Sequence, residues 1–199
     1  MKSLKLLQNQ GLIEPWHDSD IKPGDEWDKE IKAHLRAANI ILPIISFDFF
    51  NSDYIHRVEI VEAFERYDRG EVIIIPIIGD SCHWWDFPRM KDLQALPAEA
   101  KAIDDWTDRK KAMASIYEGV KGIIVEKRRV EAANQRRKAA EPFFELGLNS
   151  TDFSDKLEHY SSAINIDPLY FEAHLNRGRV KSELTQFAEA IHSNHLRLC

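Results

Sequence analysis

The sequence has few cysteines and no long apolar run, and both absences narrow the class of protein. Its 199 residues include only two cysteines, Cys82 and Cys199, which cannot form a disulfide framework. A reducing, cytoplasmic compartment is therefore expected. No apolar stretch approaches the roughly 20 residues of a membrane-spanning helix, and residues 1–11 lack a signal-peptide core. We expect a cytoplasmic protein with no membrane partner.

An excess of positive charge is also lacking. Lysine and arginine number 27 against 33 acidic residues, which gives a net charge of −6 at pH 7. Nucleic-acid-binding domains usually carry a basic surface, so no nucleic-acid partner is expected. The apolar content of 44% is that of a folded globular chain. A chain of this length has room for one ordinary domain and a smaller addition.

Two short apolar runs are typical of strands buried on both faces of a parallel sheet. Residues 40–45 (IILPII) and 71–78 (EVIIIPII) are too uniformly apolar to alternate between a core face and a solvent face. Pro76 removes a ladder donor, so the second strand is expected to bulge or end early there. Two weaker strands are predicted at residues 12–18 and 101–106.

Helices are predicted between these strands. Apolar residues recur at three- and four-residue steps in 2–10 and 27–38, a further helix is capped by Ser52 or Asp53, and a long helix starts near residue 108. The intervening loops are expected at 19–25, 46–51 and 79–98. This alternation predicts an α/β fold with a doubly wound parallel sheet up to about residue 128. Small sheets of this kind have their first strand at the centre. That strand is missing, and we expect the chain to start just after it.

The carboxyl ends of the strands are the expected ligand site, because ligands of open parallel sheets bind in the crevice there. Ser46 and Asp48 follow the first apolar strand, and Glu59 lies in the first turns of the next helix. Ser46 is either a substrate contact or an ordinary loop residue. A second interpretation places Glu59, Glu62 and Arg66 on one solvated helix face with a spaced ion pair.

Other chemistry-bearing residues are interpreted as structural. Trp16 and Trp27 are expected in the core. His17 and Asp18 lack further partners at metal-ligand spacing, so no metal site is predicted. Cys82 and the histidine after it have the residue types of a nucleophile and a base, but adjacent side chains rarely face each other.

Five stretches between Gly11 and Val125 resemble, in order, the TIR (Toll/interleukin-1 receptor) domain in its bacterial form. They are GLIEPWHDSDIKPGDEWDKEI, IILPIISFDFFNSDYIHRVEIVEAFER, GEVIIIPIIGDSCHW, LQALP and KAIDDW. The resemblance implies a flavodoxin-like sheet that lacks the family's first strand and its Ser-Tyr loop. It also implies homotypic assembly with other TIR domains.

The resemblance implies a role for Glu59. Many bacterial and plant TIR domains cleave NAD at the nicotinamide–ribose bond, and Glu59 falls at the position of their catalytic glutamate, with Ala63 four residues on. Many active members have an aromatic residue four places before this glutamate, where the present chain has Ile55. NAD is then the substrate, and no cofactor is implied. The expected substrate contacts are Ser46, Asp48 and Tyr54.

A loop of five residues resembles the BB loop, which lies between neighbouring protomers in TIR assemblies. Its turn-forming Pro-Gly pair lies at the tip. The resemblance implies that this loop mediates self-association. Its residues are Asp20, Ile21, Lys22, Pro23 and Gly24.

The C-terminal part resembles tetratricopeptide repeats. Phe153 and Phe187 are 34 residues apart, which is the repeat length of that family. Gly178 lies nine residues before Phe187, as the pattern requires, whereas Gly147 lies only six before Phe153. One and a half repeats cannot bury a continuous core, so both ends of the chain are expected to be truncated. The predicted boundaries are 1–128 for the TIR domain, 129–140 for a helical linker and 141–199 for the repeats.

Three functional hypotheses follow. The first is a bacterial signalling or defence protein whose TIR domain cleaves NAD on self-association, while the repeats bind an unknown protein. The second is a non-catalytic TIR scaffold that acts through homotypic association. The third is a degraded gene product with no function of its own. Without the first strand, low stability and little turnover are expected.

Overall fold

The computed structural model describes residues 2–51, 60–86 and 89–195. The chain divides into two compact units, residues 1–124 and 125–199, and each is described by itself. The boundary between the units falls within the helix α5. The helices and strands are α1 (Lys2–Asn9), α2 (Trp27–Ala37), β1 (Ile40–Ile41), β2 (Ile44–Ile45), α3 (Phe47–Asn51), α4 (Ile60–Asp68), β3 (Ile73–Ile74), β4 (Ile77–Ile78), α5 (Arg109–Asn149), α6 (Phe153–Ile166) and α7 (Phe171–His195).

The N-terminal unit is built on a parallel ladder, as the sequence predicts. β1 pairs with β3 and β2 pairs with β4, with Ile40 opposite Ile73 and Ile44 opposite Ile77. Strand and helix alternate along the chain, so the unit is a mixed α/β domain.

The sheet is covered on both faces, because side chains along residues 72–78 point alternately to two apolar clusters. Val72, Ile74 and Ile78 pack with residues of α3 and α4 in the first cluster. Ile75 and Ile77 pack with α1 and α5 in the second. Helices on both sides of a parallel sheet are the arrangement of a doubly wound fold.

Pro43 separates β1 from β2. The N–H of Ile75 donates to the carbonyl of Ile41, and the N–H of Ile77 donates to the carbonyl of Pro43, both at 2.9 Å. A regular parallel ladder would have a third hydrogen bond between these, from the N–H of residue 43 to the carbonyl of Ile75. Proline has no N–H, so this bond cannot form. The strand predicted at 40–45 is therefore two short strands.

The break between β3 and β4 is the one that Pro76 predicts. Pro76 lies opposite Pro43 in the register, but its backbone groups point away from β2. Its carbonyl accepts a hydrogen bond from Leu96 at 2.8 Å, on the other side of the strand. The N–H of Ile78 donates to the carbonyl of Leu96 at the same distance. Leu96 thus forms an isolated parallel bridge with Ile77 and extends the sheet by one position.

Both weaker strand predictions are wrong. At the start of residues 12–18, the N–H of Leu12 donates a hydrogen bond of 2.9 Å to the carbonyl of Leu7. This bond belongs to the turn around Gly11 that ends α1. Pro15 lacks a donor, and no strand forms there. Residues 101–106 contain a 3-10 turn at Ile103–Asp105, while Leu96 takes the position beside β4.

The family's first strand is not among the described residues. Within them, β1 and β2 pair on one side only, with β3 and β4. Ile44 of β2 is 44% exposed, whereas Ile77 opposite it is 1% exposed. The apolar edge of β2 is therefore open in the part of the chain that the structure describes.

The C-terminal unit contains the end of α5 together with α6 and α7. α6 and α7 pack against each other. The second predicted repeat needs a turn and a new helix after its first, but residues 171–195 form one unbroken helix. The segment KSELTQF contains neither glycine nor proline to end it. The unit's buried core consists of Ala140, Ala163, Ile164, Tyr170 and Ala173.

No helix within the described ranges is both long enough and apolar enough to cross a membrane.

A candidate site at the carboxyl end of the sheet

Two turns meet at the carboxyl edge of the sheet, after β2 and after β4. Because Ile45 is opposite Ile78, the continuing register brings Gly79 beside the end of β2. The N–H of Gly79 donates to the carbonyl of Ile45 at 2.8 Å. A Cβ on Gly79 would lie 3.1 Å from that oxygen, so only glycine allows the backbones to approach this closely without displacement.

Ser46 begins the turn after β2 and caps α3. Its Oγ accepts a hydrogen bond of 3.1 Å from the N–H of Phe49. The loop predicted at 46–51 is wrong for this reason: residues 47–51 form a short helix. Ser46 is half-buried, and its hydroxyl proton is not used by this bond. Asp48, the second predicted contact, is exposed in the first turn of α3.

Asp80 is a residue of this edge that sequence reasoning missed. Its Oδ2 accepts a hydrogen bond of 3.2 Å from the N–H of Phe47 in the neighbouring turn. Its Oδ1 is buried and has no hydrogen-bond partner among the described residues. An acidic residue two places after a buried parallel strand is the signal that could have identified it.

Cys82 follows Asp80 by two residues in the turn after β4, and it is 1% exposed. Burial, and then the neighbouring Asp80 carboxylate, raises the pKa of the Cys82 thiol to about 11. A thiol with such a pKa is a poor nucleophile at neutral pH. The ring of His83 packs edge-on against Trp85, with 5.3 Å between the ring centroids.

Glu59 and Tyr54 lie outside the described residues, as does the predicted helix start at Ser52 or Asp53. Phe49, a few residues before this segment, and Ile60, directly after it, are both buried. They belong to one apolar cluster, which also contains Ile45 and Ile78 at the ends of β2 and β4.

The interpretation of α4 as a solvated face is wrong for Arg66. This side chain is 8% exposed, and its guanidinium donates to the carbonyls of Leu35 and Ala38 at the end of α2. Glu62 forms an ion pair of 2.6 Å with Arg36 of α2 instead. Two charged residues of α4 thus fix the position of that helix against α2.

The predicted self-association loop is exposed and has a defined backbone. The N–H of His17 donates to Oδ2 of Asp20, and the N–H of Lys22 donates to Oδ2 of Asp25, both at 3.0 Å. Gly24 has a φ of +100°, which L side chains rarely adopt.

Neither of the two tryptophans predicted for the core is fully buried. Trp27, the first residue of α2, is 49% exposed. Trp16 is half-buried and stacks on the ring of His34, with 4.1 Å between the centroids. The stacked rings of Trp16 and His34 thus link the segment before α2 to that helix.

No three His, Cys, Asp or Glu side chains in the described ranges form a group that could hold a metal ion. The site is instead a polar edge built from Ser46, Asp48 and Asp80. These features define a class: a mixed α/β domain with short parallel strands and a candidate ligand site at their carboxyl edge. Comparison with known proteins gives the family. The family model described as TIR domain matches residues 4–115, more than half of the chain, and the chain belongs to that family.

The chain is also similar to "Uncharacterized protein y4lF" of Sinorhizobium fredii (strain NBRC 101917 / NGR234). The two are 37% identical over 139 residues, which cover 70% of this chain and 43% of that relative. The matched part thus spans less than half of the relative's length. No solved structure matches the chain.

Proposed function

We propose that this TIR domain cleaves NAD at the nicotinamide–ribose bond when it self-associates, with Glu59 as the catalytic carboxylate. The membership of the TIR family indicates a role in signalling or defence. One structural observation supports the finer proposal: Ile60, the residue after Glu59, packs in the same cluster as the strand ends Ile45 and Ile78.

The chemistry needs a single carboxylate. Breaking the bond between the ribose C1 and the nicotinamide nitrogen moves the bonding electron pair to the nitrogen, so nicotinamide leaves as a neutral molecule. The ribose becomes an oxocarbenium-like cation, which a nearby carboxylate stabilises. Water then adds to C1 and releases a proton. NAD is the substrate, no general acid is required, and no cofactor is proposed.

The test is nicotinamide release from NAD by the full chain at concentrations that allow self-association. We expect release by the wild type and its loss in Glu59→Ala and Glu59→Gln. Glu65→Ala is a matched control, because Glu65 is an exposed carboxylate on α4. Equal release by the wild type and both Glu59 variants would overturn Glu59 as the catalytic residue.

A scaffold is the second candidate, and the defined self-association loop favours it. Two backbone-to-carboxylate hydrogen bonds, to Asp20 and Asp25, hold the exposed loop, which would lower the entropy cost of docking. A folded chain that self-associates but releases no nicotinamide would establish this candidate. Light scattering of wild type and Asp20→Ala measures the association, which should weaken in the variant.

The C-terminal unit is proposed to bind a protein partner as a repeat-like helical surface, and the whole protein is proposed to act in the cytoplasm. Several apolar side chains of this unit are exposed, including Leu169 and Phe171. Exposed apolar surface of this kind is typical of interaction sites.

A further inference from the structure

Asp80 joins the two turns that leave the sheet at its carboxyl edge. It follows β4, and its Oδ2 accepts the N–H of Phe47, the first residue of α3. The contact spans 33 positions of sequence and joins a side chain to a backbone N–H, so it depends on the side chain at position 80.

The turn that Asp80 holds carries both described residues of the proposed substrate site. Ser46 precedes Phe47, and Asp48 follows it. The Oγ of Ser46 fixes the turn from inside through the N–H of Phe49. Asp80 fixes it from outside, through the next strand. Removing the outer contact takes away the hydrogen bond that joins this turn to the turn after β4, while the packing of Phe49 in the apolar cluster remains.

The cost of the arrangement supports a functional role. Oδ1 of Asp80 is buried without a geometrically formed hydrogen bond among the described residues, and the Cys82 thiol beside the carboxylate is only a weak donor. Such poorly satisfied buried atoms are rare in folded proteins. A residue with no carboxylate at this position would avoid that cost. Local features that oppose stability are concentrated at functional sites.

We propose that Asp80 is a positioning residue, which holds the Ser46–Asp48 turn at the carboxyl edge of the sheet so that NAD can bind there. The proposal rests on the proposed function. In this proposal, Asp80 acts through the oxygen that accepts the hydrogen bond from Phe47. The negative charge of its carboxylate has no role. Asparagine at position 80 keeps an acceptor oxygen, whereas alanine does not.

The experiment compares Asp80→Ala and Asp80→Asn with the wild type in the full chain. Asp86→Ala is the control, since Asp86 is an exposed carboxylate on the same segment. Amide–water exchange at Phe47, measured by NMR, should be at least about tenfold faster in Asp80→Ala and close to wild type in Asp80→Asn. The KM for NAD should rise about tenfold in Asp80→Ala, with kcat changed far less, and recover in Asp80→Asn.

Unchanged exchange at Phe47 in Asp80→Ala overturns the proposal. So does a KM that rises as much in Asp80→Asn as in Asp80→Ala, because charge rather than the acceptor would then matter. If Asp80→Ala does not fold, Asp80→Asn decides by itself: a raised KM overturns the proposal and a wild-type KM supports it. If the wild type releases no nicotinamide, the proposed function fails, and exchange at Phe47 alone then decides whether Asp80 holds the turn.

Discussion

The guanidinium of Arg66 donates a hydrogen bond of 2.8 Å to the carbonyl of Ala38, the C-cap residue of α2. A second bond runs from the same side chain to the carbonyl of Leu35. The last carbonyls of a helix have no partner within it, and a positive charge is favourable there. One buried arginine therefore completes the end of α2 and links it to α4.

Arg66→Met should lower the free energy of unfolding by about 2–4 kcal/mol, because two helix-end carbonyls lose a charged donor in a buried place. Urea denaturation followed by tryptophan fluorescence measures the change, since all five tryptophans lie in the N-terminal unit. Arg69→Ala is the matched control. Arg69 forms an exposed ion pair with Glu71 at 2.6 Å, and its loss should leave stability close to wild type. Equal losses in both variants would contradict the assignment.

The paired prolines show how far the sequence predicts the sheet. The run of isoleucines identifies both central strands, and Pro76 correctly predicts an interruption near its own position. The missing donor nevertheless belongs to Pro43. Which neighbour a strand's N–H faces depends on the pairing partner and on the register, and neither is present in a single strand's sequence.

Pro43→Val should restore the missing donor and join β1 to β2. The new N–H faces the carbonyl of Ile75, so the amide of residue 43 should exchange slowly with solvent, as a ladder amide does. The gain of one hydrogen bond is offset by the extra freedom of the unfolded chain, so stability should change by less than about 1 kcal/mol. Fast exchange of this amide in a folded variant would show that Pro43 is not the cause of the break.

The candidate site was predicted in outline, for a physical reason. Parallel strands bring their carboxyl ends to one edge, so Ser46 and Asp48 could be placed there from order alone. Asp80 could not be recognised, because its contact with Phe47 depends on the register between two strands. Arg66 was misplaced since helical periodicity gives a face but not the helix that covers it.

The raised pKa of Cys82 predicts an unreactive thiol. With a pKa of about 11, the thiolate fraction at pH 7.5 is roughly two orders of magnitude below that of a free cysteine. In a Cys199→Ser variant, which leaves Cys82 as the single thiol, Ellman's reagent should react slowly in buffer and rapidly in concentrated urea. The rate in buffer should rise with pH, because the thiolate forms only as pH approaches 11. Equal rates in buffer and urea would contradict burial of this thiol.

Two glycines of the C-terminal unit, Gly147 and Gly178, both lie inside helices but differ in their surroundings. A Cβ on Gly147 would lie 2.5 Å from Cε1 of Tyr160. That ring is buried and packs against Phe144, so it has little room to move. A Cβ on Gly178 would meet nothing within 4 Å.

Gly147→Ala should therefore destabilise the unit, because overpacking of about 1–3 kcal/mol outweighs the helix propensity gained. Gly178→Ala should stabilise it by about 0.5–1 kcal/mol, since alanine restricts the unfolded chain and meets no atom. Far-UV circular dichroism melting of the full chain follows both variants, and tryptophan fluorescence, which reports on the N-terminal unit, should be unchanged. If a protein partner covers the face around Gly178 in the assembled state, Gly178→Ala should weaken that binding while it stabilises the free chain. A loss of stability in Gly178→Ala equal to that in Gly147→Ala would contradict the open surroundings of Gly178.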